Sequence, residues 1–286
     1  MKTQTNILVN TARLVVVVGM GLTLMSFGEG VTNSALAQQD TGRDFVAPTV
    51  FQAAGPNLAS IQNTVEEYRT ALGGQNNGIA PGPIADGRRE IGWDAGGSTA
   101  TTVTGTPLID FREARGALFT TPGTGFVQAP LDGLVTIFNN QTYDTIFQPF
   151  SLQRLFSAIN SNVTETTFFV PGPDNNNNLA TTKGFGAVFT DVDLPDGSGP
   201  RHKRRIRKAS TLVEYFGADR ELLFSSFVPA SPGDKSLSFF GIVFNDARIA
   251  KVRITSGDEM PGPNDDARND IVMMDDFIYA EPQRIR

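Results

Sequence analysis

From Arg88 onward the chain is a succession of short β-rich runs broken by turn residues, with no long helical stretch between them. This limits the fold severely, because parallel strands need crossover segments of about a dozen residues or more, usually helical. The runs cover residues 89–93, 117–121, 163–170, 184–190, 210–216, 221–228, 236–244, 248–255 and 271–279. Gly217-Ala218-Asp219, Pro232-Gly233-Asp234 and Asn245-Asp246 lie between consecutive runs and predict hairpins. The pattern predicts an all-β fold, an antiparallel two-sheet jelly-roll-like sandwich over residues 88–282. Residues 151–159 read equally as a short helix or an edge strand, since Leu152, Leu155, Phe156 and Ile159 share a helical face. Phenylalanine is abundant, at 21 residues. Adjacent pairs such as Phe168-Phe169 and Phe239-Phe240 place one ring on each face of a strand, so one of each pair should enter the inter-sheet core.

The segment before the sandwich reads differently. Leu58, Ile61, Val65, Tyr68 and Leu72 repeat at helical spacing, Asn57 can cap the start and Gly73-Gly74 can end it. Residues 57–87 are therefore one short amphipathic helix followed by a Gly/Pro/Asn-rich connector. Residues 38–56, broken by Pro48, Gly55 and Pro56, read as a mobile leader, and residues 283–286 as a tail. Residues 1–37 have the form of a signal peptide: Lys2 and Arg13, an apolar run over 14–27 too short to span a bilayer, then Ala35-Leu36-Ala37 as a cleavage site. The expectation is a secreted protein, extracellular or periplasmic, with no transmembrane anchor after cleavage, since no second hydrophobic run follows.

The whole chain carries 24 basic and 30 acidic residues. Cleavage removes Lys2, Arg13 and Glu29, leaving 22 against 29 and a formal charge of −7. That balance argues against nucleic acid as a partner. With no cysteine, an exported chain has neither a disulfide nor a thiolate, so packing and bound ions must hold it. The single histidine, His202, lies among cations that would depress its pKa, which argues against a hydrolytic triad.

Two acidic groups suggest metal binding. Asp191-Val192-Asp193-Leu194-Pro195-Asp196-Gly197 gathers three carboxylates around a turn, although Pro195 stands where a third alternating ligand would be. The second group needs tertiary structure. First and last strands of a sandwich often pair, which would bring Glu90 and Asp94 close to Asp275 and Asp276. Carboxylates gathered at such a seam repel one another unless a cation neutralises them, and hard oxygen donors suit structural Ca²⁺. The alternative is a set of solvated edge acids, with Asp275 and Asp276 on opposite faces.

The basic run Arg201, Lys203, Arg204, Arg205, Arg207 and Lys208 reads as a solvated loop, a patch for an extracellular polyanion or a processing site. It contains no aromatic on which a base could stack. Trp93, in the alternation Ile91-Gly92-Trp93, reads as core packing, with sugar stacking as the alternative.

Gly87-Arg-Arg-Glu-Ile-Gly-Trp-Asp94, Arg115-Gly-Ala-Leu-Phe119, 184–193 (GFGAVFTDVD) and 274–282 (MDDFIYAEP) together resemble a group of exported bacterial β-sandwich proteins without an assigned function. The final strand is similar to the closing strands of lectin-like and PEP-CTERM-type exported sandwiches, although the sorting tail of the latter is missing. The resemblance implies a secreted sandwich and carries no catalytic residue. The leading expectation is a non-enzymatic exported binding or surface-associated module, stabilised by calcium, whose ligand is an extracellular glycan or polyanion. A glycan-active hydrolase using a carboxylate pair and a polyanion-binding matrix protein acting through 201–208 are the alternatives. The sequence does not specify an oligomeric state.

Overall fold

A computed structural model describes residues 47–173, 178–193, 211–263 and 269–285. In chain order these form β1 (Thr49–Gly55), α1 (Leu58–Ala71), β2 (Arg88–Ile91), β3 (Thr102–Gly105), α2 (Asp110–Arg115), β4 (Ala117–Thr120) and β5 (Gly125–Ala129). There follow α3 (Leu131–Phe138), α4 (Tyr143–Ile146), β6 (Leu155–Ile159), β7 (Val163–Phe168), β8 (Ala180–Thr181), β9 (Gly184–Thr190) and β10 (Leu212–Phe216). The chain closes with β11 (Leu222–Phe227), β12 (Leu237–Val243), β13 (Lys251–Thr255), β14 (Met273–Ala280) and β15 (Gln283–Arg284).

The strands build an antiparallel two-sheet sandwich. Sheet A has the order β1-β12-β9-β14-β6-β5-β3, with β2 also paired to β14, and sheet B the order β11-β10-β13-β7-β4. A small β15-β8 ladder lies apart. Rings from both sheets fill the space between them, Phe126, Phe156, Phe185, Phe240 and Phe277 from one side and Phe119, Phe168 and Tyr215 from the other.

Sheet A is also covered on its outer face. Ile61, Val65 and Tyr68 of α1, with its C-cap Leu72, pack on Val188, Phe239 and Ile278, while Leu134, Phe138 and Tyr143 pack on Val127, Leu155 and Met273. As a result β9 and β14 are buried along their whole length, as expected of strands enclosed on both faces. Phe239 and Phe240 divide between the two layers, Phe239 under α1 and Phe240 in the sandwich core. Tyr68 lies flat on the sheet because Gly186 and Gly241 are beneath it: a Cβ at either would stand 2.9 Å from its ring.

Several expectations need correction. The supposed leader contains β1, which pairs with β12 from Thr49↔Val243 to Gly55↔Leu237. This Thr-Val-Phe-Gln-Ala-Ala-Gly run is short and hemmed by Pro48 and Pro56, and the edge of β12 completes it as a strand. Leu58 is exposed and does not join the packing stripe of α1. Residues 155–159 are strand β6. Only Gly217-Ala218-Asp219 makes a hairpin; the segments containing Pro232-Gly233-Asp234 and Asn245-Asp246 carry the chain from one sheet to the other. The basic run 201–208 lies outside the described residues. No helix among the described residues is long and apolar enough to cross a membrane.

Candidate functional site

One edge of β14 is shared between two strands. β6 meets it at Met274↔Phe156, and β2 meets it from Phe277↔Ile91 to Ala280↔Arg88. Between those contacts lie Asp275 and Asp276, with no strand beside them on that edge. Opposite, the pairing with β9 steps from Met274↔Phe189 to Phe277↔Ala187, so both aspartates share the span of Val188. This is a β-bulge, which breaks the strict alternation of side chains. It lets consecutive carboxylates turn towards the same place.

Two loops fill the gap. Phe150 N and Ser151 N donate to Asp275 Oδ2 at 2.7 and 3.2 Å. Gln153 N and Arg154 N donate to Asp94 Oδ1 at 3.0 and 2.9 Å. Each of these carboxylates thus has one oxygen fixed by main-chain amides and the other turned inward. The inward oxygens meet at Ser151, whose Oγ lies 3.3 Å from Asp94 Oδ2, 3.4 Å from Asp275 Oδ1 and 2.6 Å from Asp276 Oδ1. A hydroxyl has a single proton to donate. With all three carboxyls ionised, it satisfies one carboxylate oxygen and leaves the other two facing its own lone pairs.

Neutralising charge is scarce. Arg69, from the last turn of α1, reaches Asp276 Oδ2 at 3.4 Å, but it is shared with Glu66 at 2.7 Å and with Glu90 at 2.9 Å. No other cation among the described residues forms an ion pair with Asp94, Asp275 or Asp276, although the buried Arg154 guanidinium, which donates to Trp93 O, acts on Asp94 at longer range. The trio is buried, Asp275 completely and the others nearly so. Burial pushes the Asp275 carboxyl well above its usual range, and the charge of Asp276 adds to the effect. Burial raises Asp276 too, although the Ser151 hydrogen bond and Arg69 pull the other way.

Gly92 completes the arrangement. A Cβ there would stand 3.2 Å from Asp276 Oδ1, 3.4 Å from Ser151 Oγ and 3.5 Å from Asp94 Oδ2. Glycine therefore leaves open the space in front of the converging oxygens. A cleft of about 440 Å³ reaches this point, lined among others by Arg69, Glu90, Trp93, Asp94, Ser151 and Asp276.

Of the sequence-predicted residues, Glu90, Asp94, Asp275 and Asp276 come together, with Glu90 held to one side by Arg69 and Arg88. Asp191 and Asp193 do not join them. Asp193 Oδ1 accepts from Gly233 N at 2.8 Å, and Asp193 N donates to Asp270 Oδ1 at 3.4 Å. Trp93 is 2% exposed. Its ring stacks on Phe156 at 3.7 Å, edges of Phe111, Phe119 and Phe277 surround it, and its Nε1 donates to Asp275 O. That enclosure leaves no free ring face for a sugar. Ser151, Arg69 and Gly92 carried no sequence signal, because each matters only through neighbours far away in the chain.

As placed, the carboxylates are spread over Ser151. Among the described residues no three acidic or histidine side chains already close on one metal-sized point. Comparison with family models, with curated proteins and with solved structures finds no match for this chain.

Proposed function

We propose that the protein is an exported, non-enzymatic β-sandwich module whose split seam binds one calcium ion through Asp94, Asp275 and Asp276, with Glu90 and Ser151 beside them. The observation that carries this reading is the convergence of three buried carboxylate oxygens on one hydroxyl. Uncompensated negative charge in a buried site costs several kcal/mol, and a hard divalent cation is the neutraliser that carboxylate and hydroxyl oxygens suit. The open space at Gly92 gives the oxygens room to draw in around it. Burial also weighs against catalysis by these acids. Asp275 has no exposed surface, and both it and Asp94 are fixed by main-chain amides, which suits ligation better than attack on a substrate.

The role of the ion is to join the loop after β2, the loop before β6 and the bulge of β14 in a chain that has no disulfide. Binding confined to the folded state adds its free energy to stability. The test is thermal unfolding after chelation and again with millimolar calcium restored. At about 100 times Kd the gain is about 2.7 kcal/mol, which for a chain of this size is a rise of roughly 5–10 °C. A rise that disappears in the double variant Asp275→Asn, Asp276→Asn supports the reading; no rise in the unaltered protein removes calcium from it.

A further inference from the structure

The outer face of sheet B is built unlike that of sheet A. The packing helices α1, α3 and α4 lie on sheet A, whereas β7, β10 and β13 alternate buried with partly exposed residues. Their outward positions are therefore available. Across the strands one outward row reads Phe216, Lys251, Thr167, and the next reads Glu214, Arg253, Glu165.

A groove of about 540 Å³ lies along these rows, lined also by Ala218 and Arg220 of the turn after β10 and by Leu179 and Ile285 near the β8-β15 ladder. Leu179 and Ile285 are 53% and 43% exposed, so the groove has apolar walls open to solvent. The Lys251 Nζ and the Arg253 Cζ stand 5.6 and 5.9 Å from the centre of the Phe216 ring.

Among the lining side chains Arg220, Lys251 and Arg253 face one carboxylate, Glu165, while Glu214 stands beside Arg253 in the same outward row and the Glu221 carboxylate packs on Gly217 at the rim. Glu165 takes its donors on a single oxygen: Oε1 accepts from Lys251 Nζ at 2.9 Å and from Arg253 Nε and a terminal guanidinium nitrogen at 2.8 and 2.6 Å. That geometry leaves other N–H groups of both cations for a ligand, because an ammonium has three donors and a guanidinium five. Arg220 forms no ion pair among the described residues. The groove thus joins an aromatic ring, apolar walls, a hydroxyl at Thr167 and three cationic side chains with donors to spare.

We propose that this groove binds an anionic saccharide, a pyranose chain carrying carboxylate or sulfate groups, with a ring laid on Phe216 and its anionic group held by Arg220, Lys251 and Arg253. Aromatic faces accept the C–H faces of sugars, and charge-assisted donors fix the anion. An acidic peptide fits less well. β7, β10 and β13 each have both edges paired, so a peptide finds no free strand to extend. The site is separate from the seam, and the inference does not depend on calcium.

The test is calorimetric titration of the protein with oligogalacturonate, a heparin oligosaccharide, a neutral cello-oligosaccharide and oligoglutamate, in chelator and at low salt. Binding by at least one anionic saccharide is expected, and which of the two wins tells carboxylate from sulfate. The neutral sugar and the peptide should bind at least about tenfold more weakly, the worth of one charged hydrogen bond. Arg220→Gln, at an exposed turn position, should weaken binding about tenfold without changing the fold, and Phe216→Ala by a similar factor. A variant with the basic residues of 201–208 neutralised should bind as before.

Four results would overturn the proposal. They are no binding of either anionic saccharide, equal binding of the neutral sugar or the peptide, unchanged affinity in both Arg220→Gln and Phe216→Ala, or loss of binding that follows 201–208.

Discussion

β14 and the turn after it border two buried charged regions that differ in one respect. At one, Arg89 and Glu281 are almost wholly buried and paired, Nε to Oε2 at 2.7 Å and a terminal nitrogen to Oε1 at 2.8 Å. The remaining donors of Arg89 reach Gly78 O, Ala114 O and Ala80 O, and Glu281 also accepts from Asn77 Nδ2 and Ile84 N. Every donor of that guanidinium has a partner, and the pair holds the 75–87 connector against the sandwich. At the other, three carboxylates crowd one hydroxyl, and only Asp276 reaches a cation, Arg69, which it shares with two glutamates. The first region is complete in itself. The second leaves negative charge over, and that difference separates a clasp from a candidate site.

The comparison can be tested by removing one partner from each side. Arg89→Met should strand a buried carboxylate and cost about 3–5 kcal/mol, lowering Tm by roughly 10 °C or more. This holds with or without calcium. At the seam, Asp275→Asn with Asp276→Asn should do the reverse in chelator, leaving Tm unchanged or raised, because it removes repulsion; its cost should show only as loss of the calcium-dependent rise. If both replacements destabilise equally in chelator, the two regions are the same kind of structural ion cluster.

Gly92→Ala sharpens the contrast further. The new methyl fills the space before the three oxygens, so the calcium-dependent rise should vanish while Tm in chelator moves by only a few degrees, as for a tight but adjustable contact. A retained rise would place the ion elsewhere.

The smallest effect expected is that of pH. Asp275 and Asp276 hold their protons more tightly when folded than when unfolded, since burial raises both. Their ionisation therefore works against folding. In chelator this penalty is absent below the ordinary aspartate range, about pH 4, and grows as pH rises through the raised values. The chelated protein should thus gain a few degrees in Tm on going from neutral pH towards pH 5, measured against Asp275→Asn, Asp276→Asn, which lacks both carboxyls. With calcium the same change should shrink the metal-dependent rise, because protons compete for the ligands.

Much of this architecture was legible in the chain. Turn-punctuated β runs fixed antiparallel pairing, the 3.6-residue stripe located α1, and pairing of the first and last runs visible in the sequence, which became β2 and β14, placed Glu90 and Asp94 near Asp275 and Asp276. These features depend on local periodicity and on the few topologies that short connections allow. Other elements were hidden. β1 is a short run hemmed by prolines and is completed by the edge that β12 offers. The segments after β11 and β12 carry good turn residues yet cross between sheets, a choice made by core packing. Trp93 looked open to two readings, and only the aromatic shell around it decides for packing.

The sequence by itself determined the fold class and the helical preface, and it offered a strand pairing that would group Glu90, Asp94, Asp275 and Asp276. Tertiary structure alone decided how those carboxylates meet. A one-residue bulge opposite Val188 turned consecutive side chains to one place, where alternation would have set them on opposite faces. Two loops then supplied Ser151, Gly92 and the amides that aim the oxygens inward. Sheet B's groove arises in the same way, from residues on three strands brought into one row by register. Periodicity reports which face a residue prefers, but register and bulges are set by the whole sheet, and no short stretch of chain carries that information.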